Sequence, residues 1–312
     1  MPKVLVTCAQ MQAELPVHAE RLRAAGLEVE APPLPGQQFS SAQLSKMMTD
    51  VVGMIAGDDE LDRAFFRASP KLQALIRWGI GMDSVDHAAA RDHGVAVCNT
   101  PAVFGGEVAD SALTYMLMLA RRHHMIDQAV RSGSWPKYEG LSLSGETVGI
   151  VGQGDIGAAV ASRALGFGMS VMAFDPYVAS ERLAPGVGLV ESINDLLASS
   201  RFVVLTCPLT PETRHLIDAD ALKGMRRDSF LINVARGPVV DELALVEALD
   251  AGQIAGAGLD VFEVEPLPDN SPLRGFDSVI LGAHNGSNTR QGVARASQRA
   301  VDLLLERLGH GS

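Results

Sequence analysis

Three short apolar runs in the last third of the chain each deliver a chemically capable side chain at their end. Leu231-Ile-Asn-Val-Ala leads to Arg236, Gly258-Leu259 leads to Asp260, Glu263 and Glu265, and Val279-Ile-Leu-Gly-Ala leads to His284. An arginine fork at the end of a buried strand suits bidentate capture of a carboxylate, though it suits pairing with a structural acid as well. A histidine titrates near neutrality and so can exchange a proton, but it can also ligate a metal or simply mark a strand–loop junction. No metal partner stands at suitable spacing, and three carboxylates in six residues are ordinary in a solvated loop. What sets the group apart is that Arg, Glu and His arrive from three successive strand ends.

Elements must exist to bring those ends together. Short β-branched runs alternate with segments of helical period, the pattern of parallel α/β folds. Strands are expected at Val4–Thr7, Val51–Ala56, Leu72–Arg77 and Val95–Cys98. A second series follows at Thr147–Val151, Ser170–Phe174, Phe202–Thr206, Ser229–Val234, Ile254–Leu259 and Ser278–Leu281. Helices are expected at His18–Ala25, Asp155–Phe167, Asp241–Asp250 and Thr289–Leu308. The long helical stretch Gly105–Arg122 breaks the rhythm and reads as a connection between two α/β halves. The amphipathic last helix folds back onto the first half, making one discontinuous domain and one inserted domain.

The strand Val148-Gly-Ile-Val151 runs directly into Gly152-Gln-Gly154-Asp-Ile-Gly157 and then a helix. In that context a GxGxxG is a dinucleotide fingerprint: Gly152 for the tight turn, Gly154 for approach of the pyrophosphate, Gly157 for helix–strand packing. The helix N-terminus supplies N–H groups and a favourable dipole for the phosphates. Asp175 lies 18 positions beyond Gly157, at the end of the next strand. A carboxylate there accepts from ribose hydroxyls and repels a 2′-phosphate, which selects NAD over NADP. Arg182 stands too far along to clamp such a phosphate.

Together the motifs NVARGPVVDE, GLDVFEVEPLP and ILGAHNGSNT, with GQGDIG and Asp175 upstream, resemble the D-isomer-specific 2-hydroxyacid dehydrogenases, closest in texture to phosphoglycerate dehydrogenase-like members. Arg77-Trp-Gly-Ile-Gly-Met-Asp83, Asn99-Thr-Pro101 and Thr206-Cys-Pro-Leu-Thr-Pro-Glu-Thr213 extend the likeness from about Leu72 to the C-terminus; the first seventy residues match only in pattern. The resemblance implies two Rossmann-like, doubly wound parallel-sheet domains with the active site between them. Residues 1–99 and 284–312 would form the discontinuous substrate domain, and 100–283 the inserted NAD-binding domain with its connecting helix. It implies that Arg236 holds the substrate carboxylate and 2-oxo group, that His284 is the general acid/base, and that Glu265 raises its pKa. Trp78, Gly79, Ile80 and Gly81 would form the substrate loop, with backbone N–H groups on the carboxylate. Cofactor contacts would come from Gly152, Gly154, Asp155, Ile156, Gly157, Asp175, Cys207, Pro208, Thr213, Val234, Ala235, Arg236, Asp260, His284 and Gly286. The connecting helix, with Leu113, Met116, Leu117 and Leu119, resembles a dimer-forming segment, so a homodimer is expected.

The implied reaction is hydride transfer between NAD and C2 of a small 2-hydroxy or 2-oxo acid of the phosphoglycerate, glyoxylate or hydroxypyruvate type. A phosphite- or formate-oxidising relative would share the fold, though formate oxidation typically has glutamine in place of Glu265. An NAD(H)-sensing protein of the co-repressor kind would keep all three residues. Ala283 departs from the family's usual proline, and Asn285-Gly-Ser-Asn288 is more polar than is common. Cys207 reads as a packing residue beside the cofactor rather than a reactive thiol, and His123 and His124 as solvated or interface positions.

The composition sets outer bounds. A net charge of −11 argues against nucleic acid or an anionic membrane as the main partner. Three scattered cysteines give neither a zinc site nor a disulfide framework. The start shows no signal peptide and no run spans a bilayer. A cytoplasmic protein without a metal is expected.

Overall fold

The computed structural model describes residues 1–310. Its chain divides into two compact units, 1–103 with 288–312 and 104–287. The first chain crossing lies four residues beyond the expected one. The second also falls four residues later, after His284 rather than before it, because the His284 turn is hydrogen-bonded to residues of the second unit, as described below.

In the first unit five parallel strands, β1 (Lys3–Val6), β2 (Glu28–Glu30), β3 (Val51–Ala56), β4 (Ala74–Arg77) and β5 (Ala96–Asn99), lie in the order β2-β1-β3-β4-β5. The inner strands are almost wholly apolar because helices cover both faces of a parallel sheet. Leu5, Met54, Phe65, Phe66 and Leu75 are fully buried in its core. The helix Arg290–Arg307 returns to this unit, as expected, and places Leu304 against β3 at Gly53.

The second unit holds β6 (Thr147–Val151), β7 (Ser170–Phe174), β8 (Val187–Leu189), β9 (Phe202–Leu205), β10 (Phe230–Asn233), β11 (Gly256–Leu259) and β12 (Val279–Leu281). They form one parallel sheet in the order β12-β11-β10-β9-β6-β7-β8. Strand order reverses between β6 and β9, the point at which open α/β sheets bind ligands beyond their carboxyl ends. The helix Gly105–Arg121 packs across β10, β11 and β12. Ile150, Val203, Leu231 and Leu245 are fully buried in this unit.

Most expected strands are found within one or two residues of their expected ends. The two that the sequence did not announce, β2 and β8, are the outermost strands of one edge of each sheet. Edge strands are short and polar, and Glu28-Val-Glu30 carries no apolar alternation to read. The first helix runs Ala9–Ala24, well ahead of its expected start, with Pro16 inside it. The connecting helix ends at Arg121; Arg122 adopts φ 52°, and a separate helix, His123–Arg131, follows. Among the described residues no helix is long and apolar enough to cross a membrane.

Candidate active site

The parallel register aligns the three strand ends. Asn233 of β10 pairs with Leu259 of β11, which pairs with Leu281 of β12. Neighbouring strands lie about 4.8 Å apart, so Arg236, Glu265 and His284 leave the same sheet edge across two strand spacings.

Each side chain is then set by local bonding. Asn233 is buried; its Oδ1 accepts from Ala235 N–H (3.0 Å) and its amide donates to the Arg236 carbonyl (2.9 Å), shaping the turn into the arginine. Half-buried Arg236 donates from one terminal nitrogen to the Ala235 carbonyl (3.0 Å). Gly237 lies directly on the next strand end: a Cβ there would come within 1.9 Å of the Phe262 carbonyl. Only glycine lets the two backbones meet so closely.

Glu265 is held by the loop that carries it. Its Oε1 accepts from Phe262 N–H (2.9 Å) and its Oε2 receives His284 Nδ1 (2.7 Å). The two side chains are 21% and 26% exposed, half-buried yet reachable. With Nδ1–H donated to the carboxylate, the tautomer is fixed and Nε2 becomes the nitrogen that exchanges protons. The loop has a second anchor that the sequence did not reveal: Glu242 accepts from Glu263 N–H. Burial pushes the Glu242 carboxyl up, its bond from Glu263 N–H opposing and the charges of Glu263 and Glu265 reinforcing that rise. His215 Nε2 lies 2.6 Å from Glu263 Oε1 on the loop's outer side.

His284 itself has φ 50°, a left-handed conformation that histidine tolerates better than most residues but not freely. Asp260 compensates. Its carbonyl accepts from His284 N–H (2.7 Å), and its carboxylate, on a residue 4% exposed, accepts from Asn285 N–H (3.2 Å) and Gly286 N–H (2.9 Å). Asp260 and Gly286 are thus engaged with each other beneath the histidine. Tyr115, absent from the sequence reading, also donates to Asp260 (2.9 Å).

The fingerprint loop follows β6, across the switch point. Gly152 has φ 96°, and a Cβ on it would lie 2.8 Å from the Cys207 backbone; a Cβ on Gly157 would lie 2.1 Å from the Gly152 carbonyl. Gly154 differs. Nothing of the protein lies within 4 Å of a Cβ placed there, so its missing side chain leaves open space at the start of the helix Asp155–Gly166. That is where a dinucleotide's pyrophosphate approaches, and the residues present fit NAD. The Asp155 carboxylate is turned towards Gly105 at the start of the connecting helix, so its backbone N–H is the group that could serve a phosphate. Asp175 Oδ2 accepts from Gln153 N–H (2.8 Å), tying β7's end to the loop, and Oδ1 accepts from Tyr177 N–H (2.9 Å).

Ile156 is half-buried beside the loop, and Cys207, Val234 and Ala235 are buried at the ends of β9 and β10. Burial pushes the Cys207 thiol up to about 11, so it is not a reactive thiolate near neutral pH. Thr213 donates to the exposed Pro208 carbonyl (2.6 Å), closing the segment after β9.

In the first unit, Trp78 N–H and Gly79 N–H are already donated, to the Ala56 carbonyl (2.8 Å) and Thr100 Oγ1 (2.9 Å). The Gly79 N–H, expected to face a substrate carboxylate, is thus engaged within its own unit. Trp78 Nε1 donates to Ser297 (3.0 Å), and the buried Arg77 guanidinium is paired with Asp58 and the Trp78 carbonyl. Among the described residues no group of three His, Cys, Asp or Glu could hold a metal ion.

The profile of the D-isomer specific 2-hydroxyacid dehydrogenase, NAD binding domain, matches residues 113–286. A glyoxylate reductase of Thermococcus kodakarensis is 37% identical over 311 residues, 96% of this chain and 91% of that protein. The crystal structure of the TT0316 protein from Thermus thermophilus superposes with a TM-score of 0.88 at 37% identity, over 99% of this chain and 98% of that one. A D-lactate dehydrogenase from Aquifex aeolicus, complexed with NAD and lactic acid, gives 0.88 at 25% identity, over 99% and 96%.

Proposed function

Because this chain belongs to the D-isomer specific 2-hydroxyacid dehydrogenase family, we propose that it reduces a small 2-oxo acid with Arg236 as carboxylate clamp, His284 as proton donor and Glu265 as its partner. The observation that carries this reading is the 2.7 Å contact between His284 Nδ1 and a Glu265 already anchored by Phe262 N–H. NAD, when bound, exchanges the hydride with C2 of the substrate. Arg236 orients the 2-oxo acid by its carboxylate and polarises the carbonyl. His284, held on Glu265 through Nδ1, donates a proton from Nε2 to the C2 oxygen as it becomes a hydroxyl, and takes the proton back in the reverse direction. The N–H groups of Ile80 and Gly81 add to carboxylate binding, and Trp78 and Gly79 shape that loop. Asp175 receives the adenosine ribose hydroxyls, and Cys207, Pro208 and Thr213 line the adenosine side. Val234, Ala235, Asp260 and Gly286 support the nicotinamide side.

Glyoxylate and hydroxypyruvate are the preferred substrates in this reading, rather than a phosphorylated acid. Arg77, the cation beside the substrate loop, is spent on Asp58, which leaves it poorly placed for a phosphate. The test is NADH oxidation against glyoxylate, hydroxypyruvate, pyruvate and phosphohydroxypyruvate, repeated with His284→Ala. No turnover on any member overturns the enzyme reading and favours an NAD(H)-sensing role; a mutant as fast as wild type overturns the role of His284.

The homodimer is also part of this proposal, though not for the reason the sequence suggested. Leu113, Met116 and Leu119 are buried and Leu117 is half-buried. Support comes instead from the segment after the connecting helix, where Val130, Tyr138 and a 79% exposed Trp135 leave apolar surface uncovered. Light scattering should give a dimer for wild type and a lighter species for Trp135→Glu; equal masses would remove the segment from the interface. Three free cysteines fit a reducing, cytoplasmic setting.

A further inference from the structure

Tyr115 has no part in the chemistry above, yet its hydroxyl sits beneath the turn that carries His284. It donates to Asp260 Oδ1 at 2.9 Å, the same oxygen that accepts from Asn285 N–H. The turn is built directly on this hydroxyl: a Cβ at Gly282 would fall 2.2 Å from Tyr115 Oη and 2.4 Å from Asp260 Oδ1. One helical turn earlier on Gly105–Arg121, Ser111 donates to the Gly286 carbonyl (3.4 Å). One helix therefore supports both flanks of His284, at Gly282 and at Gly286.

The arrangement has a physical requirement. A carboxylate buried as deeply as Asp260 is costly unless its oxygens are satisfied, and the donors that satisfy it also define the left-handed turn. Remove the phenol and Oδ1 is left with the longer Asn285 N–H bond as its fixed donor in the turn, so the carboxylate is less firmly held. Burial and the charge of Asp260 both push the Tyr115 hydroxyl pKa up, so it remains an O–H donor at any pH the enzyme works in.

We propose that Tyr115 is a positioning residue for proton transfer: acting through Asp260, it holds the His284 turn so that the imidazole stays on Glu265 with Nε2 facing the substrate. The proposal rests on the reading of His284 as the proton donor. Its rival is plain packing of an aromatic ring against β11, where a Cβ on Gly258 would already touch the Tyr115 side chain.

Tyr115→Phe separates the two, because it keeps the ring and removes one oxygen. Three quantities are read: kcat for 2-oxo acid reduction, NADH affinity by fluorescence, and the titration of the His284 ring by NMR, its signal identified by its loss in His284→Asn. Brace loss should lower kcat about ten-fold through misplacement of the acid while NADH affinity stays within about two-fold. The titration midpoint should fall as the ring leaves its carboxylate. Wild-type kcat and titration in Tyr115→Phe overturn the proposal. So does a loss of kcat that merely follows a loss of thermal stability or NADH affinity with the titration unmoved. Asp260→Asn should move the titration in the same direction and further; an unmoved midpoint there overturns the relay. Wild-type protein silent on every 2-oxo acid would sink the dehydrogenase reading, and the NMR titration would still decide the brace by itself.

Discussion

The second unit contains two sharp turns at the same sheet edge, and they are stabilised in different ways. The turn after β6 takes its left-handed residue from glycine, at Gly152, which adopts that backbone freely, and Phe174, Asp175 and Thr206 tie the loop to the neighbouring strands. The turn after β12 takes its left-handed residue from His284, and the groups that hold it, Asp260 and Tyr115, lie 24 and 169 positions away in sequence. A turn that only has to bind can be built from permissive backbone. A turn that must present a reactive ring cannot use glycine at that point, so the bonds around it have to hold a side chain in a conformation it does not favour.

The largest way to break this contrast is at the histidine. Asparagine also tolerates the left-handed region, so His284→Asn should keep the fold and its melting temperature while kcat falls on the order of 10²–10⁴-fold. A parallel collapse of thermal stability would show that the imidazole, not the bonds around it, maintains the turn. Within the glycine turn, Gly152→Ala forces a Cβ into the Cys207 backbone at a left-handed position, and should cost roughly 1–3 kcal/mol in denaturant unfolding. Gly154→Ala meets nothing in the protein; stability should stay within about 0.5 kcal/mol while NADH affinity drops about ten-fold or more. Equal NADH binding in that variant would mean the pyrophosphate does not cross Gly154.

The smallest expected effect concerns Cys207, which walls the glycine turn. Its folded pKa of about 11 lies above the ordinary 9.0, so the folded state holds the proton more tightly. The corresponding stability is complete below about pH 9 and is lost as pH rises through 11, on the order of 1 kcal/mol. Unfolding midpoints at pH 8 and pH 10.5 should differ less in Cys207→Ser than in wild type. Alkylation at pH 8 should reach half-buried Cys98 well before Cys207; the reverse order would place a thiolate beside the cofactor loop.

What the sequence made legible follows the same division. Interior parallel strands are near-continuous runs of Val, Ile and Leu, and the fingerprint is contiguous, so both could be read directly. Arg236, Glu265 and His284 were visible because each follows such a run. The edge strands β2 and β8 lack the apolar signal. Tyr115, Ser111 and Glu242 were missed because their partners are brought near only by folding: a tyrosine within Leu113–Met118 reads as one more core residue. The dimer expectation, drawn by resemblance from a helix carrying Leu113, Met116, Leu117 and Leu119, had a similar limit, since apolarity alone does not say which surface covers it.

The return of the helix Arg290–Arg307 to the first unit has a consequence for synthesis. Val301 and Leu304 are fully buried in a core whose other walls are drawn from the first hundred residues. On the ribosome those residues must wait, with an apolar face unfilled, until nearly the whole chain has emerged, whereas the inserted unit owns all its strands by Leu281. The usual N-terminal-first order would thereby be inverted, with the strands of the second unit all made before the first unit can close its core.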